Sequence, residues 1–154
     1  KFYSDWELID EIALSPLIHG AQEALQFNVE NEVVNTLLTS RNRDDLVHVL
    51  KETGILHQFK ILQTLQDSPF RKPDPRVFDY TFEQLTREYG IAREECVFVG
   101  DTFADIQAGT KAGIRTLVVL TGPFFHQAKE NSVPWENVLA SIEYWPGWYA
   151  VNRD

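Results

Sequence analysis

Asp101 and Asp105 stand four positions apart, just after an apolar run that ends in glycine: Val97-Phe98-Val99-Gly100-Asp101-Thr102-Phe103-Ala104-Asp105. A buried strand that stops at a glycine and then presents two carboxylates can hold a hard divalent cation such as Mg²⁺, which takes oxygen ligands. If the residues after Gly100 are helical, Asp105 lies one turn beyond Asp101 and both side chains can face one point. The same spacing allows a plainer reading, with Asp101 capping the helix and Asp105 merely solvated.

Two more groups carry chemistry that complements a cation. Lys72 sits in Arg71-Lys72-Pro73-Asp74-Pro75, where two prolines stiffen the backbone and fix where the ammonium is presented. It can neutralise a phosphoryl oxygen, or be a surface lysine ahead of a capped helix. Thr39 closes the apolar run from Val33 to Leu38. Its hydroxyl, with the backbone N–H groups of Ser40 and Arg41, suits an anionic oxygen, although threonine at a strand end is commonplace. Arg41 can steer an anion or pair with Asp44 or Asp45. His126 follows Phe124-Phe125 in a loop and reads as incidental.

These side chains need elements to position them. Residues 4–14 and 17–29 have helical apolar spacing. Val33–Leu38 reads as a strand. A helix capped by Asp44 or Asp45 runs to about Glu52 and closes at Gly54. Phe59–Leu65 reads as a further strand. Asp74-Pro75 is a strong helix start, with a cap residue followed by proline at the first helical position, and that helix runs to Tyr89 before Gly90. Cys96–Val99 is the most convincing buried strand. A helix over Thr102–Ala112 ends at Gly113, and Arg115–Leu120 is the next strand. Trp135–Ile142 is expected to be the last helix, with an irregular aromatic tail, Tyr144-Trp145-Pro146-Gly147-Trp148-Tyr149, after it. Alternating strands and helices predict an α/β fold with a parallel sheet. Ligand sites in such sheets lie at the carboxyl ends of the strands, where Thr39, Asp101 and Thr121 fall.

Bulk properties narrow the classes. The chain has 154 residues, 44% of them hydrophobic, and a net charge of −9. That length fits one domain with a sizeable core, and that charge repels phosphodiester backbones, so nucleic acid is not an expected partner. The single cysteine, Cys96, cannot form an internal disulfide and reads as a packed thiol. No uninterrupted apolar run approaches the ~20 residues that span a bilayer, and no signal peptide is visible. No membrane partner is expected, and the expected location is cytoplasmic. The chain opens on Lys1 and holds no methionine, so an upstream segment, or processing, is expected.

Taken together, the strand-end Thr39 in Leu-Leu-Thr-Ser, Lys72 in Lys-Pro-Asp-Pro and the acidic run Gly100-Asp101-Thr102-Phe103-Ala104-Asp105 resemble the haloacid dehalogenase-like (HAD) superfamily in its phosphatase form. The run Ile106-Gln107-Ala108-Gly109-Thr110-Lys111-Ala112-Gly113-Ile114 extends the likeness, which covers about residues 16–122. The resemblance implies a Rossmann-like sheet with flanking helices over residues 16–154, residues 1–15 being the remnant of a cap or linker helix. It implies Mg²⁺-dependent phosphoryl transfer from a small phosphorylated metabolite. An aspartate on the first strand attacks phosphorus, and a second one, two residues on, serves as acid and base. Thr39, Ser40, Arg41 and Lys72 would then bind the phosphoryl group. Asp101 would ligate Mg²⁺, and Asp105 would do so directly or through water.

One part of that pattern is absent: no Asp-x-Asp-x-Thr follows an apolar strand. Asp5 and Asp10 are the only aspartates before Thr39, and neither is placed as nucleophile. In the family that strand lies between the strand ending at Thr39 and the one ending at Gly100. The resemblance therefore predicts a slot there, filled by an upstream segment, another chain or a rearrangement of residues 1–14. Two other readings remain: a catalytically silent scaffold, which the missing motif and aromatic tail favour, and a receiver-like phosphoacceptor, whose acidic residues would have to come earlier.

Overall fold

The computed structural model describes residues 16–122 and 134–153. The helix expected over residues 4–14, and His126, lie outside them. Helix α1 (Ala21–Glu30) leads to β1 (Thr36–Leu38), α2 (Arg43–Glu52), β2 (Ile61–Gln63), α3 (Asp79–Tyr89), β3 (Val97–Gly100), α4 (Phe103–Ala112), β4 (Arg115–Val119), β5 (Val138–Leu139) and α5 (Trp145–Asn152). All strand pairings are parallel: Thr36 opposite Ile61 in β1–β2, Val97 opposite Arg115 in β3–β4, and Val118 opposite Val138 in β4–β5. The α/β expectation holds, and the sheet is in two pieces, β1–β2 and β3–β4–β5. Among the described residues no ladder joins β1 to β3, and every residue of these two strands is only half-buried.

Alternation along the strands builds the layers. Val97, Val99, Leu117, Val119 and Leu139 share a cluster with Ala24 and Phe27 of α1 and Trp145, Trp148 and Tyr149 of α5. On the opposite face Phe98 packs with Val77, Phe78, Ala108, Ala112 and Ile114, and Leu38 joins the same cluster from β1. Leu37 points the other way, with Leu46, Leu50, Leu62 and Leu25. Helices thus cover both faces, as a parallel sheet requires.

Several boundaries differ from the sequence expectation. Asn42, not Asp44 or Asp45, caps α2, accepting from Asp45 N at 2.9 Å. Asp74 does cap its segment, accepting from Arg76 N at 2.9 Å, but Pro75–Phe78 is a 3₁₀ turn before α3 begins. Buried Gln63 organises that junction: its amide donates to Val77 O at 2.5 Å and accepts from Thr81 Oγ1 at 2.6 Å. Cys96 precedes β3, is half-buried, and has its thiol pKa pushed up by burial and by Glu95 and Glu94.

The helix expected over Trp135–Ile142 is overturned. That stretch is a 3₁₀ turn (Trp135–Asn137), strand β5 and the start of a second 3₁₀ turn (Ile142–Tyr144). The aromatic tail is not irregular either. It forms α5, with proline in its first turn, and Trp145, Trp148 and Tyr149 fall at the i, i+3, i+4 spacing of one helical face. Trp145 is 6% exposed and stacks on Trp148 with centroids 5.4 Å apart. Its indole N–H donates to Asn28 Oδ1 at 2.6 Å, and Asn28 donates to buried Asn35 at 2.7 Å. Trp145, Trp148 and Tyr149 therefore form the roof of the three-stranded sheet, and Tyr144 stays exposed.

Candidate active site

The acidic run folds as strand, turn and helix because each residue after Gly100 satisfies the start of α4. Thr102, not Asp101, is the N-cap: its hydroxyl accepts from Asp105 N at 3.2 Å. Asp105 answers by accepting from Thr102 N at 2.9 Å, from Thr102 Oγ1 at 2.7 Å and from Asp101 N at 3.1 Å, all at Oδ2. This reciprocal arrangement is a capping box. Gly100 is what lets α4 descend onto β3, since a Cβ there would lie 2.4 Å from Asp105 Cβ.

The other oxygen of Asp105 meets Lys72. Nζ lies 2.5 Å from Oδ1, with the Asp105 side chain 3% exposed, and the ammonium sits 5.9 Å from the centre of the Phe98 ring. Burial pushes the Asp105 carboxyl up, but hydrogen bonds from Lys72 and Thr102 and the lysine charge outweigh it, so its pKa falls below the ordinary value. Residues 33 positions apart in sequence are joined here.

Asp101 behaves differently. Among the described residues its carboxylate has no hydrogen-bond or ion-pair partner, and it rests against the backbone at Gly122, where a Cβ would come 2.3 Å from Oδ2. An unengaged hard oxygen donor held in a glycine cradle at a strand end suits Mg²⁺, which keeps several waters and uses one or two carboxylates plus phosphate oxygens. No group of three His, Cys, Asp or Glu converges among the described residues, and of the two aspartates Asp101 is the one whose carboxylate could hold such a cation directly. Asp105 has both oxygens engaged.

Thr39, Ser40 and Arg41 form a second group at the end of β1. Thr39 N donates to Gln63 O at 3.0 Å, extending the β1–β2 pairing, and its Oγ1 accepts from Arg41 N at 3.2 Å. That leaves the hydroxyl proton available to an incoming acceptor. Ser40 is exposed. No hydrogen bond or ion pair among the described residues joins Thr39 to Lys72 or to either aspartate. The two groups are related through packing, with Leu38 beside Thr39 and Phe98 beneath Lys72 sharing one cluster. Sequence reasoning missed Thr102 as cap, although Thr followed by Asp three residues later is its signature, and missed the close approach at Gly122.

Comparison with known proteins gives a consistent answer. A family model described as haloacid dehalogenase-like hydrolase matches residues 1–119. A pyrophosphatase PpaX from Listeria welshimeri is 26% identical over 111 residues, 72% of this chain and 49% of the relative. One from Bacillus velezensis is 35% identical over 80 residues, 52% of this chain and 35% of the relative. The chain thus spans half or less of these curated relatives. The crystal structure of a predicted phosphoglycolate phosphatase from Haemophilus somnus 129pt superposes with a TM-score of 0.78 at 21% identity, covering 94% of this chain and 62% of that one, a likeness of fold. Parallel strands with helices on both faces, the strand-end aspartates and a family match over most of its length place this chain among the haloacid dehalogenase-like hydrolases.

Proposed function

We propose that this chain is the core of a Mg²⁺-dependent phosphatase that acts on a small phosphorylated metabolite, with its aspartate nucleophile carried on a strand outside these 154 residues. The observation that supports this most is the Lys72–Asp105 pair at 2.5 Å beside the unengaged Asp101 carboxylate. A cation and a hard anionic oxygen are thereby held around one buried carboxylate at the carboxyl end of β3.

In this reading Lys72 spends one N–H on Asp105 and offers the others to a phosphoryl oxygen, while Asp105 keeps the ammonium oriented. The Thr39 hydroxyl and the backbone N–H groups of Ser40 and Arg41 donate to the remaining oxygens, and the Arg41 side chain draws the anion in. Asp101 would hold the cation, with Asp105 beside it fixing the turn that presents Asp101. When bound, the cation offsets charge on the transferring group. The half-buried edges of β1 and β3 accept the strand that brings the nucleophile; its carboxylate attacks phosphorus as the P–O bond to the substrate alcohol breaks, the alcohol leaves with a proton from the second aspartate of that strand, and water then hydrolyses the aspartyl-phosphate to free phosphate.

The test is hydrolysis of p-nitrophenyl phosphate by the full-length gene product, with and without Mg²⁺. Turnover that needs Mg²⁺ and falls at least ~100-fold in Asp101→Asn is expected. A full-length protein that carries an Asp-x-Asp pair on the inserted strand and shows no turnover would leave the scaffold reading in its place. The aromatic tail gives that alternative less support, because Trp145, Trp148 and Tyr149 pack inside the fold.

A further inference from the structure

We infer that Asp67 is a positioning residue: through Arg43 and Thr64 it locks the Thr39–Arg41 turn and the Lys72 loop into one rigid unit. Asp67 lies between two segments that the sequence holds apart, and the sequence reading gave it no role.

Its side chain is 15% exposed. Oδ2 accepts from Thr64 N at 2.7 Å, from Thr64 Oγ1 at 2.6 Å and from Arg43 Nη2 at 2.6 Å, and Oδ1 accepts from the same Nη2 at 2.8 Å. Arg43 reaches further, donating from Nη2 to Leu62 O of β2 at 3.2 Å and from its backbone to Gln66 Oε1 at 3.1 Å. Leu65 N donates to Arg41 O at 3.0 Å, so the turn that follows Thr39 is stitched directly to this loop.

The far end of the same loop is also braced. Arg71 donates to Leu65 O at 3.0 Å, to Ser68 O at 2.5 Å and to Phe70 O at 2.7 Å, and Lys72 follows it. The route from Thr39 to Lys72 runs from the Thr39–Arg41 turn through the Leu65–Arg41 backbone bond into the loop that Arg71 clasps, and Asp67 braces that loop at Thr64 while tying it to Arg43. Charge-assisted contacts are stronger than neutral ones and hold geometry accordingly. Small displacements of binding groups cost rate disproportionately. Asp67 itself touches no group assigned to the reaction, so its effect passes through Lys72 and Thr39. That they grip a phosphoryl group rests on the proposed function; that Asp67 fixes their relative position does not.

Two readouts test the inference on the full-length protein. The first is acylation of Lys72 by acetic anhydride, followed by mass spectrometry. Asp67→Asn should speed labelling of Lys72 about tenfold, while amide exchange in β4 stays at its wild-type rate. Arg43→Lys keeps the charge but not the planar guanidinium whose Nη2 spans Asp67 and Leu62 O, and should give a smaller change in the same direction. The second is a double-mutant cycle on p-nitrophenyl phosphate hydrolysis. Asp67→Asn should lower kcat about tenfold with KM little changed, and should have almost no further effect in a Lys72→Ala background. Unchanged Lys72 labelling, faster exchange throughout β4, or full additivity with Lys72→Ala would each overturn the inference. Faster Lys72 labelling in a protein without phosphatase turnover would uphold it and sink the proposed function instead.

Discussion

The two sheets are finished to different degrees. In β3–β4–β5 the middle strand is covered on both faces, Leu117 being 0% and Val118 1% exposed. In β1–β2 the outer strand β2 is well buried at Ile61 and Gln63, while β1 is half-exposed at all three positions. The strand least covered in each sheet is β1 in one and β3 in the other. Packing is thus complete away from the centre of the molecule and incomplete along the line where the two sheets approach. The candidate ligand groups sit at the ends of the two strands that border that line. The best-buried part of the fold supports the site, and the least covered part borders it.

Four measurements would break or sharpen this contrast. The largest effect is expected at Leu117→Ala, which opens a cavity under Trp145 and should cost ~4 kcal/mol in urea unfolding. Gly100→Ala forces a methyl group against Asp105, and should cost ~2 kcal/mol while weakening the hold on Lys72. Leu37→Ala, in the half-covered strand, should cost only ~1 kcal/mol; a loss equal to that at Leu117 would mean that β1 is as firmly packed as β4.

The smallest effect concerns acid. The folded pKa of Asp105 lies below its ordinary 3.8, so the unfolded chain binds the proton more readily. Its contribution to stability is complete above that value and fades as pH falls through the folded value. Urea midpoints taken from about pH 5 down to about pH 3 should therefore decline less steeply for Asp105→Asn than for the wild type. Equal slopes would mean that the Lys72 contact does not hold the carboxylate ionised.

Much of this was readable from residue order. Val97–Gly100 is apolar and ends in glycine, and the capped, glycine-terminated segment after it is helical, so β3 and α4 follow from local rules. The three-motif likeness likewise led to the family and to a slot beside β1. Other features were not legible because they depend on contacts across the chain. Nothing local to Lys72 says that its ammonium ends on Asp105 rather than in solvent. Gln63 looks like a surface residue until Val77 and Thr81 close over it. β5 has two residues, too few for any period to register. Proline and glycine near the start of α5 obscured an aromatic spacing that was visible all along, and proline in the first turn is compatible with a helix.

The docking of Trp145 onto Asn28 and the sheet carries a genetic consequence. A premature stop codon between residues 123 and 144 would strip the aromatic covering of α5 from Leu117 and Val119 while sparing every residue assigned to the site. Such alleles would fail through proteolytic clearance of a poorly folded product, and their severity would track cellular abundance rather than turnover per molecule.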